Sequence, residues 1–265
     1  MYYSLISSMS KGLSDAEKFI LAAGITDATQ KTAITTLVDN LKSYGIWSKM
    51  KALYPMVGGT AASHKFNLKD PRDLNAAFRL TFSGGWTHSS TGALPNGTNA
   101  YADSFLNPSI NILINQGSLG YYSRTNNVPA TTMAEMGAIT YTPFPNYFFQ
   151  IHARLTNNAW LCNPNTADAI FSQITTNSSG FYQGTRLNAT NYRQIRNIIT
   201  GDAVRNYATP NLNVYIGARS LNGLANAYSN RECAFAYMGN SLSTTEASNF
   251  YTAVQAYQTS LSRQV

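Results

Sequence analysis

Apolar residues along the chain fall into two regimes. From Leu13 to Met50 they recur at helical spacing. Leu13-Ser14-Asp15-Ala16-Glu17 sets a serine three positions before a glutamate, the pattern of a capping box, and Phe19, Ile20 and Ala23 follow on one face. Gly24 is the natural stop. Asp27 or Thr26 caps a second helix, in which Ala33, Ile34, Leu37, Val38, Leu41 and Tyr44 form one stripe and Gly45 marks the end. Trp47 and Met50 continue into a short helical piece before Tyr54-Pro55. Residues 10–52 therefore predict a helical hairpin with an apolar stripe, to be covered by the body of the protein or by another subunit.

Beyond Pro55 the period shortens to two. The runs 78–82, 118–124, 135–141, 147–153, 180–186 and 213–218 alternate and are bounded by Gly, Pro, Asn or Ser, which predicts short strands of a sandwich or barrel. Pro143, Pro145, Pro164 and Pro210 sit between runs. Asn191 to Ile199 fits a strand or a short helix equally well. The chain closes with a strand from Glu232 to Met238, a break at Gly239-Asn240, a second capping box at Ser243 and Glu246, and an apolar-periodic helix from Phe250 to Leu261. There is no tandem repeat and no clear linker. The expected division is a helical segment over residues 1–54, packed on or docking beside a β-sandwich over residues 55–265.

That closing unit of late strand, Leu-Ser-x-x-Glu turn and short helix resembles the end of concanavalin A-like and laminin-G-like jelly rolls. The likeness extends over roughly residues 65–265. It implies a mainly β protein: a concanavalin A-like jelly-roll sandwich with an N-terminal helical hairpin and a short C-terminal helix. The strings Phe66 to Leu74, Phe78 to Phe82, Ser83-Gly84-Gly85, Trp86 to Asp103 and Asn230 to Ala236 are similar to an uncharacterised set of proteins of tailed phages and related viruses. This second resemblance implies a non-enzymatic virion structural protein, a fibre, decoration or capsid-associated component. Its partners would be other virion proteins, copies of itself and a host-surface glycan.

Composition fits that expectation. Only 12% of residues are charged, about half the usual share, and Asn, Ser, Thr, Gly and Tyr carry the polar role instead. The net charge of +7 arises from 19 Lys+Arg against 12 Asp+Glu, a shortage of acids rather than a basic face. The densest basic stretch, Arg186 to Arg205 with Arg193 and Arg196 between, comes with no nucleic-acid motif, so nucleic acid is not an expected partner. Cys162 and Cys233 read as buried free thiols, with one disulfide as the alternative. Met1 to Met9 lacks the basic start and apolar run of a secretory signal, and no stretch approaches 18 apolar residues; a virion protein made in the host cytoplasm, without membrane insertion, is expected.

Catalytic patterns are sparse. Glycoside hydrolysis needs two carboxylates flanking one bond. The acids Asp15, Glu17, Asp27, Asp39, Asp70, Asp73, Asp103, Glu135, Asp168, Asp202, Glu232 and Glu246 offer no pair on a common strand face. His64, His88 and His152 show no metal spacing; His88-Ser89-Ser90 lacks a Gly-x-Ser-x-Gly elbow, and Gly84-Gly85 lacks the Lys-Ser/Thr of a phosphate loop. No cofactor is expected, apart from the calcium ion that the laminin-G-like resemblance implies. Asp103, beside Asn99 and Asn107, is the candidate ligand. The candidate ligand-binding residues are aromatic: Trp86, Tyr101, Tyr121, Tyr122 and Trp160. Sugar rings stack on such faces, although aromatic residues also fill cores and interfaces. A carbohydrate-binding, receptor-reading module is thus the alternative function, and a glycoside hydrolase the remote one.

Overall fold

The computed structural model describes residues 12–141, 145–167, 172–197 and 199–265. The expectations placed on Met1 to Met9, Pro143 and Asp168 lie outside those residues. The architecture is mainly β, with two sheets face to face and a layer of helices on one of them.

The first sheet has 8 strands. Its order is β13 (Ile199–Val204), β12 (Asn191–Arg196), β11 (Gly180–Arg186), β6 (Ser118–Ser123), β17 (Cys233–Gly239), β4 (Gly92–Pro95) and β3 (Trp86–Ser89), with β1 (Met50–Tyr54) also paired to β17. The second has 9 strands. It runs β10 (Gln173–Ile174), β9 (Ala159–Ala167), β8 (Tyr147–His152), β7 (Met136–Thr140), β14 (Tyr215–Ile216), β5 (Tyr101–Asp103) and β2 (Thr81–Ser83). On it, β15 (Arg219–Leu221) lies parallel to β7 and antiparallel to β16 (Leu224–Asn226); the other ladders are antiparallel.

Period-two alternation divides the first sheet between two cores. Tyr121, Tyr182, Ala236 and Met238 point into the space between the sheets, with Phe149, Ile151, Trp160, Cys162 and Ile216 from the facing sheet. Their neighbours Tyr122, Phe181, Phe235 and Tyr237 point the other way, toward the helices. These are α1 (Asp15–Ala22), α2 (Ala28–Ser43) and α5 (Thr244–Ser260), which bring Phe19, Ile34, Leu37, Leu41, Phe250, Val254 and Tyr257 to the same cluster. At Gly120 of β6 a side chain would not fit: a Cβ would stand 2.2 Å from the Tyr237 ring, which fills that space instead. Two short helices, α3 (Ala61–His64) and α4 (Pro108–Asn111), complete the set among the described residues.

The helix ends follow their sequence signals. Ser14 with Glu17 and Ser243 with Glu246 form reciprocal capping boxes. Asp27, rather than Thr26, caps α2 by accepting from the Gln30 amide, while the Gln30 side chain accepts from Gly58 N–H. Strands β6, β7, β8, β11 and β17 fall where alternation places them. Asn191 to Arg196 resolves as strand β12.

Other segments differ from expectation. Met50–Tyr54 is a strand of 5 residues, so the sheet begins ahead of the boundary drawn after residue 54. Its alternation is hidden because Met50, Leu53 and Tyr54 are all covered, by helices on one side and by the second sheet on the other. The run 78–82 becomes strand only from Thr81, because Phe78 takes the left-handed conformation that ends a short 3-10 turn. Pro164 lies within β9, at the irregular register opposite Phe148 and Gln150, where a missing N–H is tolerated. Cys162 and Cys233 are both free and buried, and burial pushes both thiols up. No helix among the described residues is long and apolar enough to cross a membrane.

Candidate functional site

The five aromatic candidates separate into two groups. Trp160, Tyr121 and Tyr122 are interior residues, each no more than 1% exposed. Trp160 packs edge-on against Tyr182, the Tyr121 hydroxyl donates to Arg231 O, and Tyr122 stacks on Phe181 beneath the helices. Their rings present no face to solvent, which corrects their assignment as ligand contacts. Sequence alone missed this because Tyr121 and Tyr122, being adjacent, must point to opposite faces of β6, and both faces are covered.

Trp86 and Tyr101 are half-buried and lie together. The Trp86 indole N–H donates to Ser83 O at 3.0 Å and reaches Tyr101 O at 3.3 Å, so β3 of one sheet is tied to β2 and β5 of the other. The indole edge rests on Gly217, which has φ +80 and where a Cβ would stand 2.6 Å from the ring. Glycine is required there on both counts. Beside this staple, Tyr101 of β5 meets Tyr215 of β14, with ring centroids 4.8 Å apart and planes at 33°. Tyr215 is also half-buried, and it pairs in register with Asp103. Tyr101 and Asp103, two residues apart on one strand, share a face with Tyr215. The alternation of 213–218 places Tyr215 on a strand, but nothing in the sequence joins it to Tyr101, more than 100 residues earlier.

The Asp103 carboxylate is already engaged. One oxygen accepts from Phe105 N–H at 2.7 Å and the other from the Asn213 amide at 3.2 Å, and burial raises its pKa. Asn99 accepts from Gly85 N–H, and Asn107 caps α4 while donating to Asn211. Each of these three side chains is thus held by other partners. Among the described residues no group of three or more His, Cys, Asp and Glu side chains is placed to hold a metal ion.

Behind Trp86, His64 Nδ1 and His88 Nδ1 stand 2.9 Å apart, and the His88 ring also meets Phe82 edge-on. The buried His64 Nε2 has no hydrogen-bond partner. A proton there would be costly, so the favoured tautomer has His64 Nδ1–H donating to His88 Nδ1. Burial, with His88 and Arg263 nearby, lowers the His64 pKa to about 3, and burial lowers that of His88. This is a neutral pair joining α3 to β3.

Most of the remaining acids are paired. Asp15 meets Lys42, Asp70 meets Arg72, Asp73 meets Lys65 and Arg79, Asp202 meets Arg193, Glu232 meets Arg124 and Thr91, and Glu246 meets Lys49. Glu135 and Arg231 form an ion pair at 2.7 Å with both side chains fully buried. Two arginines of the basic stretch are bonded within the protein: Arg186 donates to Asn165, Asn188 and Arg205 carbonyls, and Arg196 to the Tyr182 hydroxyl and Asn177 O.

The fold defines a class, a two-sheet β-sandwich with helices layered on one sheet. No particular family can be attached to it: no protein-family model matches the chain, and no curated protein matches it. Solved structures give distant likenesses. One is a mutant of Trypanosoma rangeli sialidase displaying trans-sialidase activity, with 9% identity and a TM-score of 0.49 over 84% of this chain and 39% of that one. Another is the binding domain of botulinum neurotoxin serotype D, with 8% identity, a TM-score of 0.48, and 79% and 52% of the two chains. A third is domain 4 of AbnA, an extracellular arabinanase from Geobacillus stearothermophilus, in complex with arabinotriose, with 10% identity, a TM-score of 0.42, and 77% and 98% of the two chains. The chain thus spans about two fifths of the sialidase and about half of the toxin domain. At these scores the likenesses carry neither fold nor function to this protein.

Proposed function

We propose that the protein is a non-enzymatic binding module that contacts carbohydrate through the Tyr101–Tyr215 pair. The observation that carries this reading is the arrangement of two adjoining, half-buried rings on neighbouring strands of one sheet face, with the Asp103 and Asn213 polar groups beside them. Sugar rings present C–H faces to aromatic rings and hydroxyls to amides and carboxylates, so the pair matches that chemistry. The absence of catalysis is part of the proposal. It is supported by the carboxylates of the described residues, most of which are committed to ion pairs or caps, as set out above. Saturable binding on a broad glycan panel, lost in Tyr101→Ala and Tyr215→Ala variants that keep the wild-type circular dichroism, is the expected result. Flat binding across the panel rejects it.

A second reading, compatible with the first, is a virion structural protein that meets copies of itself or other virion proteins, with the glycan on a host surface. Two observations favour it. The surface is poor in charge, and a groove of about 830 Å³ opens between α1 and residues 66–74, flanked by Leu21 at 59% and Leu74 at 52% exposure. Quantitative mass spectrometry of purified particles and light scattering of the isolated protein test it; a strict monomer absent from particles contradicts it.

A further inference from the structure

Arg219 is less fully bonded than most of the arginines around the sandwich. Arg72, Arg79, Arg124, Arg193 and Arg231 each meet a carboxylate, and Arg186 and Arg263 are wrapped by backbone carbonyls. Arg219 lies on β15 with one partner, Asn226 across the β15–β16 ladder, whose Oδ1 accepts from Nε at 3.3 Å and from Nη2 at 3.2 Å. Nη1 makes no hydrogen bond to the described residues, and no carboxylate among them pairs with this side chain. The guanidinium is half-buried, and burial lowers its pKa, with the Tyr141 phenol near enough to oppose that shift. A partly desolvated cation whose donors are only partly used is an incomplete ion pair.

Its position gives that incompleteness a use. Arg219 and Tyr215 are both in register with Gly137 of β7, so the backbone of Arg219 lies next to the strand that carries one ring of the aromatic pair. Asn226 holds the Nε and Nη2 edge, which leaves Nη1 as the open corner of a planar fork suited to a carboxylate.

We propose that Arg219 makes this surface selective for acidic glycans, accepting the carboxylate of a uronic or sialic acid residue while Tyr101 and Tyr215 contact the sugar ring. The inference rests on the carbohydrate-binding reading of the Tyr101–Tyr215 pair and adds to it the charge of the ligand. Asn226 acts as a positioning residue, since it touches the guanidinium rather than the sugar.

The test is a titration of the full chain with uronate-containing and sialylated oligosaccharides, each set against its carboxyl-reduced neutral counterpart. Wild type is expected to bind at least one acidic member about tenfold more tightly than its reduced form, the value of one charge-assisted hydrogen bond. That preference should weaken as salt is raised. Arg219→Gln should abolish the difference, and Asn226→Ala should reduce it partially. Circular dichroism and melting temperature check that each variant is folded. Equal binding of acidic and neutral forms by wild type, or a preference that survives in Arg219→Gln, overturns the proposal while leaving the aromatic platform standing. No binding of any oligosaccharide removes the platform and this inference together.

Discussion

Two arginines show how this sandwich treats a charge. Arg231 is fully buried and saturated: it pairs with Glu135 and also donates to Asn127 and to the carbonyl of Arg154. Glu135 in turn accepts from Ser229 and from Ala153 N–H. Arg219 is half-buried, with one amide for company. The closed network locks the loop before β17 to the ends of β7 and β8, and nothing in it is free to meet a ligand. The open one lies on β15, in register with the same residue of β7 as the half-buried Tyr215. The comparison teaches that burial and satisfaction, rather than charge or residue type, separate an arginine committed to the architecture from one with donors to spare.

The comparison breaks most sharply at the closed site. Arg231→Ala leaves Glu135 buried and unpaired, and a loss of about 3–5 kcal/mol is expected. Chemical denaturation measures it. Replacing both partners, Glu135→Leu with Arg231→Met, should recover much of that loss, because the charge left alone costs more than the pair contributes. Next comes Gly137→Ala, between the two regions. The new Cβ would lie 2.6 Å from Gln150 Cβ and 3.0 Å from Phe149 O, and overpacking of this kind costs about 1–3 kcal/mol. A thermal melt reads the effect, and an unchanged melting temperature would show that β7 and β8 can separate at that point.

Smaller effects follow at the helix layer and the histidine pair. Ser243→Ala removes the cap of α5 and should cost about 1 kcal/mol. His64 and His152 both have pKa values lowered to about 3, by burial first, from an ordinary 6.5. The unfolded chain therefore binds protons that the folded chain refuses. Their contribution is intact above about pH 6.5 and is lost as pH falls toward 3. Stability against pH should fall through that window, and His64→Gln should flatten the slope. At the open site the expected stability change is smallest: Arg219→Gln should stay within about 0.5 kcal/mol. A large destabilisation there would place Arg219 with Arg231 and dissolve the contrast.

Much of the scaffold was legible in the chain. Both capping boxes, the α2 stripe and strands β6, β7, β8, β11 and β17 follow from local periodicity and polar signals, which act within a few residues. The strands where the candidate site lies are 2–4 residues long: the alternation of 78–82 and 213–218 touches β2 and β14, while β3 and β5 offer too little to read. Their pairing is set by contacts distant in sequence, as when Trp86 reaches Tyr101 and Gly217. Trp86 and Tyr101 were recognisable as candidates, whereas Tyr215 and Arg219 were not. Trp160 illustrates the converse, since a tryptophan within a polar stretch looks like a loop residue until the sheets close over it.

The most direct test is a binding titration comparing wild type with Tyr215→Ala on the strongest ligand of a glycan panel. The substitution removes one ring of the pair and leaves both cores intact. The account predicts saturable binding by wild type and at least a tenfold loss in the variant, about 1.4 kcal/mol, with unchanged melting temperature. Equal affinity of the two proteins would contradict it, because the exposed pair would then be a surface feature without a ligand.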